Sequence, residues 1–297
     1  MAAGAKRGDA PAVLPPRAGP GPTGEDVPMR LVASDLDGTI VRHDGTMTPR
    51  TVAALARCQE AGVDVVFVTG RPMRWMPPVA QATGHTGVAI LGNGALVYDL
   101  GSEQVLRTRA MTPEAVVAVV HALRAVLPDA HFALETLAGY RREPAFMPHH
   151  EAAHLALAGT IEELVADDPV VLKVLCRDET STADPMLALA RPALEGIAEP
   201  VHSDARSSLV EVAALGVSKA STLAMLAAER GIDPQDVVAF GDMPNDVPML
   251  HWAGRGYAMA DGHPEAIAAA DAIAPPCAQD GVAQVLEGLL DALPQRA

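Results

Sequence analysis

Aromatic side chains are scarce in this chain: Phe, Tyr and Trp together make up 3% of its 297 residues. That shortage argues against an aromatic-rich β-sandwich. It leaves Ala, Val and Leu to do the packing, which suits helices and buried parallel strands. Cysteine is scarce too. Cys58, Cys176 and Cys277 are far apart, odd in number and without a CxxC pair, so neither a disulfide framework nor a cysteine metal site is expected. Each reads as a small core residue in a reducing, cytoplasmic setting. Positive charge is in short supply: 22 Lys and Arg face 37 Asp and Glu, for a net charge of −15. Such a surface repels phosphate backbones and argues against nucleic-acid partners, although local cations or a metal can still admit a small phosphorylated metabolite to one cleft. No run approaches the ~18 apolar residues of a membrane span, so no membrane partner is expected. Nor does the N-terminus carry the continuous apolar stretch of a secretory leader.

Hydrophobic residues are nonetheless 49% of the chain, enough for a sizeable core. Residues 1–29, rich in Pro, Gly and Ala, have no apolar periodicity and read as a disordered tail. Order begins with the apolar run 29–34, a buried strand that ends in Asp35-Leu36-Asp37-Gly38-Thr39. A helix follows over 48–61, with Thr48 as N-cap, Pro49 at its first position and Gly62 as its stop. Residues 63–68 form a second buried strand ending at Thr69-Gly70-Arg71, and 88–91 a third before Asn93-Gly94. Strands alternating with helices, with polar residues at the strands' C-terminal ends, predict an α/β fold built on an open parallel sheet. The same grammar returns late in the chain: a helix over 219–230, a strand over 237–240, Gly241-Asp242-Met243-Pro244-Asn245-Asp246, a helix over 247–252, and short strands at 257–259 and 272–274. Residues 110–213 mix helices (113–127, 184–196) and strands (170–176, 208–212) without polar clusters at strand ends. The expected organisation is therefore a parallel-sheet core from 30–109 and 214–297, interrupted by a second α/β domain over 110–213.

Four pieces carry the chemistry. Asp35 and Asp37, two residues apart at a strand end, can divide labour between nucleophilic attack and proton exchange. Thr69-Gly70-Arg71 offers a hydroxyl and backbone N–H groups to phosphoryl oxygens. Lys219 starts a helix, where the dipole disfavours a cation, which implies an anionic partner. In Gly241-Asp242-x-x-Asn245-Asp246 the two carboxylates lie four residues apart and would share one side of a helix starting near Met243. Such oxygen ligands suit a hard cation such as Mg2+.

As an ordered set these motifs resemble those of haloacid dehalogenase (HAD) superfamily phosphatases with a large inserted cap, the Cof-type branch in particular. Asn93-Gly94-Ala95, Val217-Ser218-Lys219, Asp246-Val247-Pro248-Met249-Leu250, Ala258-Met259 and Asp280-Gly281-Val282-Ala283 strengthen the likeness, which runs from about 30 to 290. The resemblance implies a Rossmann-like HAD core and a Mg2+-dependent phosphohydrolase of small phosphate monoesters: sugar phosphates, nucleotides or phosphorylated cofactors. By the same likeness Asp35 becomes an aspartyl phosphate, and Asp37 protonates the leaving oxygen and later activates water. Thr69, Gly70, Arg71, Asn93, Lys219 and Asn245 would bind phosphate or substrate. Asp35, the Asp37 carbonyl, Asp242 and Asp246 would form the metal site. The inserted domain would exclude water and read the leaving group. One departure is Ala258-Met259-Ala260-Asp261-Gly262, where family members commonly carry Ala-Met-Gly-Asn-Ala.

Other readings compete. A phosphomutase or phosphotransferase of the same superfamily would use the same residues. A phospho-receiver would lack both the insertion and the second acidic motif. His150-Glu151-Ala152-Ala153-His154 matches the HExxH zinc-protease pattern, but no third ligand is signalled and Pro144 and Pro148 crowd its approach. It reads rather as a helix of the inserted domain with surface histidines. Arg141, Arg142, Lys173 and His202 could meet a leaving group, although each reads first as a solvated side chain.

Overall fold

The computed structural model describes residues 29–147 and 156–293. Their contacts divide the chain into two compact units, one of Arg107–Ser218 and one of the residues before and after it. The HEAAH segment at 150–154 and most of the 1–29 tail lie outside the described residues.

The discontinuous unit is organised by β1 (Leu31–Ser34), all four of whose residues are buried. Both faces of such a strand must meet apolar partners, and a central parallel strand meets that condition. β1 pairs in parallel with β2 (Asp64–Val68) on one side and β12 (Val237–Gly241) on the other. The parallel run extends through β3 (Val88–Leu91) beyond β2, and through β13 (Arg255–Met259) and β14 (Ala272–Ala274) beyond β12. β4 (Leu96–Asp99) adds antiparallel to β3, and β5 (Gln104–Thr108) completes the order β14-β13-β12-β1-β2-β3-β4-β5. Strands adjacent in sequence lie on one side of β1 and late strands on the other, so the β1/β12 boundary is a topological switch point.

Local chemistry sets the helices around this sheet. α1 (Pro49–Glu60) starts with Pro49 at its first turn, and the Thr48 hydroxyl accepts from the Thr51 N–H, as the sequence predicts. α6 (Lys219–Glu229) and α7 (Val247–Trp252) bury Leu223, Met249 and Leu250 against Leu31, Ala33, Val66 and Ala239 of the sheet. α1 packs on β2 and against α9 (Gly281–Asp291), where Arg50 and Arg57 pair with Glu287 and Asp291.

The unit 107–218 carries a second sheet, of β6 (His131–Thr136), β7 (Gly139–Arg142), β8 (Leu157–Ala158), β9 (Val171–Arg177), β10 (Ala198–Val201) and β11 (Leu209–Ala214). Its order is β10-β11-β9-β6-β7-β8, antiparallel except for β7 with β8. Period-two alternation sends Phe132, Leu134, Val174, Cys176, Val210 and Val212 to one face. There they meet Val116, Val120 and Leu123 of α3 (Pro113–Val126) and Met186 and Leu187 of α5 (Ala183–Ala193). The intervening positions include Glu135, Lys173, Arg177 and Glu211, all buried, with Lys173 ion-paired to Glu211.

Candidate active site

At the C-terminal end of β1 the chain turns sharply. The Val41 N–H donates to Leu36 O at 2.7 Å and the Gly38 N–H to Val41 O at 2.9 Å. Gly38 sits at φ 82°, and a Cβ there would lie 2.4 Å from Asp242 Oδ2. Both facts require glycine: the backbone is left-handed, and Asp242 occupies the space a side chain would need. The turn buries Asp35, while the Asp37 side chain is 55% exposed.

Asp242 and Asp246 reach the same place from the end of β12. A short 3-10 turn over Pro244–Asp246 precedes α7, whose span is the one expected, so Asp242 and Asp246 do not share one side of a helix starting near Met243. This turn swings Asp246 back under the loop, where its Oδ2 accepts from the Asp242 and Met243 N–H groups, each at 3.1 Å. Its Oδ1 accepts from Lys219 Nζ at 2.7 Å. Lys219 also donates to Asp35 Oδ1 at 2.5 Å. The lysine is fully buried at the start of α6, so the anionic partner expected from its awkward dipole position is in fact a pair of carboxylates.

Carboxylate oxygens of Asp35, Asp242 and Asp246 all lie within 4.8 Å of one another. One ammonium does not balance three such groups. Burial pushes the Asp35 carboxyl up to about 7; the Asp246 and Asp37 charges add to this, and Lys219 opposes it. Burial, followed by repulsion from Asp35 and Asp246, likewise raises Asp242 well above the usual carboxylate range. Lys219 is raised, because the two aspartates outweigh the burial that would lower it.

The remaining expected residues line the neighbouring strand ends. The Thr69 hydroxyl accepts from the Arg71 N–H at 3.1 Å, which leaves its own proton available. The Arg71 guanidinium does not point at open space but forks onto Asp37, Nε to Oδ2 at 2.7 Å and an Nη to Oδ1 at 2.5 Å. Asn93, left-handed at φ 57°, accepts through Oδ1 from Asn245 Nδ2 at 3.0 Å. Asn245 Oδ1 is buried with no hydrogen-bond partner.

Two contributors to this site carry no role in the sequence reading. Thr39 donates its hydroxyl to Asp242 Oδ1 at 3.2 Å; its place in the Asp-x-Asp-Gly-Thr run was the available signal. The divergent loop after β13 closes on Asp242 through the backbone, the His263 N–H donating to Asp242 O at 2.7 Å. A Cβ at Gly262 would lie 2.8 Å from that same oxygen, so glycine is required where the family commonly has alanine. Lys173 and His202 are not solvated: both are buried, Lys173 against Glu211 and His202 Nε2 against Asp184 at 2.7 Å. Arg141 is held by Asp167 and Leu164 O, and Arg142 by the carbonyls of Glu143, Pro144 and Phe146.

The buried lysine thus lies between a strand-end aspartate and a second acidic loop, at the switch point of a parallel sheet. The family model of haloacid dehalogenase-like hydrolases matches residues 32–286, and the chain belongs to that family. Among solved structures, it is similar to a haloacid dehalogenase-like hydrolase from Bacteroides thetaiotaomicron, with 25% identity and a TM-score of 0.69 over 87% of this chain and 98% of that one. A second protein of that organism, described among phosphatases of the HAD superfamily, shares 22% identity with a TM-score of 0.74, covering 90% and 97% of the two chains. A sugar phosphatase of HAD subclass IIB shares 19% identity with a TM-score of 0.73, covering 89% and 100%. The likeness to these last two is one of fold. No described helix is long and apolar enough to cross a membrane.

Proposed function

We propose that this protein is a Mg2+-dependent phosphatase that cleaves small phosphate monoesters through an aspartyl phosphate on Asp35. The observation that carries the reading is the Lys219 bridge. It holds Asp35 Oδ1 at 2.5 Å and leaves Oδ2 at the end of β1 to attack. In the first step Asp35 Oδ2 bonds to phosphorus, the ester P–O bond breaks, and the departing oxygen takes a proton from Asp37. In the second step Asp37 takes a proton from water, the water oxygen bonds to phosphorus, and the acyl-phosphate bond breaks to restore Asp35. The exposed Asp37 carboxylate is accessible to that water. Lys219 and the Thr69 hydroxyl would receive charge on the phosphoryl oxygens. Positioning and neutralisation of this kind supply most of the catalysis in phosphoryl transfer.

The donor set fits a hard divalent cation. Asp35 and Asp242 offer carboxylate oxygens whose repulsion a cation would relieve, the Asp37 carbonyl would be a further ligand, and the unpartnered Asn245 Oδ1 would accept from a metal-bound water. Asp246 belongs to the cluster, but its oxygens already serve Lys219 and two backbone N–H groups. The bound ion would neutralise charge on the phosphoryl group as it transfers. The unit 107–218 would act as the cap that reads the leaving group. The test is phosphate release from a panel of sugar phosphates, nucleotides and phosphorylated cofactors with and without Mg2+. Turnover should require the ion and vanish in Asp35→Asn. Undiminished activity in that variant would end the nucleophile assignment, whereas transfer of phosphate to an added sugar without release would favour the phosphomutase alternative.

A further inference from the structure

The sequence suggests Arg71 as a phosphate ligand, yet its guanidinium is already committed. It makes a two-pronged contact with both oxygens of Asp37, the pairing in which arginine is most selective and least replaceable by lysine. The backbone on either side is pinned. The Arg71 N–H donates to the Thr69 hydroxyl, the Arg71 carbonyl accepts from the Gly92 N–H at 3.1 Å, and Pro72 follows directly. Asp37 stands in the opposite condition: more than half exposed, on a tight turn, with Arg71 as its side-chain hydrogen-bond partner among the described residues. An exposed aspartate would otherwise rotate freely about χ1. Its reacting oxygen must meet one particular ester oxygen, and a misplacement of about 1 Å can cost about a hundredfold in rate.

Resting on the phosphatase reading above, we propose that Arg71 is a positioning residue for Asp37, holding its carboxylate toward the leaving oxygen, and not a ligand of the transferring phosphate. The fork takes two of the roughly four lone-pair positions of the carboxylate and leaves the rest for the substrate.

Leaving-group dependence separates the two roles. An alkyl phosphate needs its departing oxygen protonated; an aryl phosphate with a stable phenolate does not. Arg71→Ala and Arg71→Lys should each lower kcat on an alkyl phosphate about a hundredfold with KM nearly unchanged. Both variants should release the first equivalent of phenolate from the aryl ester at close to the wild-type rate in a rapid-mixing burst. Combined with Asp37→Asn, Arg71→Ala should cost nothing further on the alkyl ester. A tenfold or greater rise in KM on both esters, or equal loss of the burst and of alkyl turnover, would overturn the proposal in favour of a phosphate ligand. So would full rescue by lysine. Thermal melts matching wild type would show that any loss is not one of folding. If Asp35→Asn is dead and Arg71→Ala turns over alkyl phosphate normally, the Arg71 role alone is refuted. If Asp35→Asn is active, the phosphatase reading fails first.

Discussion

Asparagine in place of Asp35 should make the metal-free protein more stable than wild type above neutral pH, although it destroys the proposed nucleophile. Asp35 is buried beside Asp242 and Asp246, and its carboxyl rises from 3.8 in an unfolded chain to about 7 in the fold. Between those values the folded state binds a proton that the unfolded state has released. The contribution of Asp35 to stability is therefore greatest below about pH 4, falls as pH rises through the folded value, and is lowest above it. At about 1.4 kcal/mol per pH unit, the interval from 3.8 to about 7 is worth about 4 kcal/mol. Asp242, raised for the same reasons, adds to the slope in the same direction. Asn resembles the protonated acid in shape and charge, so Asp35→Asn should match wild type near pH 4 and exceed it by several kcal/mol at pH 8. Urea melts of both proteins in EDTA, at intervals from pH 4 to 8, would measure the difference directly and cancel titrations elsewhere. Mg2+ should then stabilise wild type more at pH 8 than at pH 5, and stabilise the variant little at either. Parallel stability curves for the two proteins would refute the argument, because they would mean that neither burial nor the neighbouring carboxylates raises Asp35 in the fold.

Lys219→Met should remove the cation between Asp35 and Asp246, abolish phosphatase turnover and cost about 3–5 kcal/mol in a urea melt at pH 8; a smaller loss at pH 5, where protons can replace the ammonium, would support the cause. Gly38→Ala combines a left-handed φ with an approach of 2.4 Å to Asp242 Oδ2. It should destabilise by about 1–3 kcal/mol and weaken Mg2+ binding measured calorimetrically. In the unit 107–218, Lys173→Met should cost about 3–5 kcal/mol by stranding Glu211, whereas Lys173→Met with Glu211→Leu should come back close to wild type in the same melts.

Much of this was legible residue by residue. The strand ending at Asp35, the Thr48 cap with Pro49, the Gly-permitted turn at Gly38 and the helix starting at Lys219 are all local events, set by apolar runs and by dihedral and capping preferences within a few residues. Family resemblance assembled them into one expected site. The 3-10 turn at Pro244–Asp246 was not legible, because Pro244 suits the first turn of either helix type and only the reach of Asp246 to Lys219 selects the tighter one. The antiparallel β4 beside β3, and the burial of Lys173 and His202, depend on strand pairing and on what covers a sheet face, which periodicity alone does not specify.

What the sequence by itself determined, then, was the inventory: which strand ends carry carboxylates, hydroxyls and cations, and where glycine must stand. Only the tertiary structure decided the partnerships. Asp35 and Lys219 are 184 positions apart, Thr39 and Asp242 203, and Arg71 and Asp37 34. The reason is physical. A buried charge takes whatever compensating group the sheet order brings to it, and that order sets β1 between β2 and β12, which no local stretch of chain encodes.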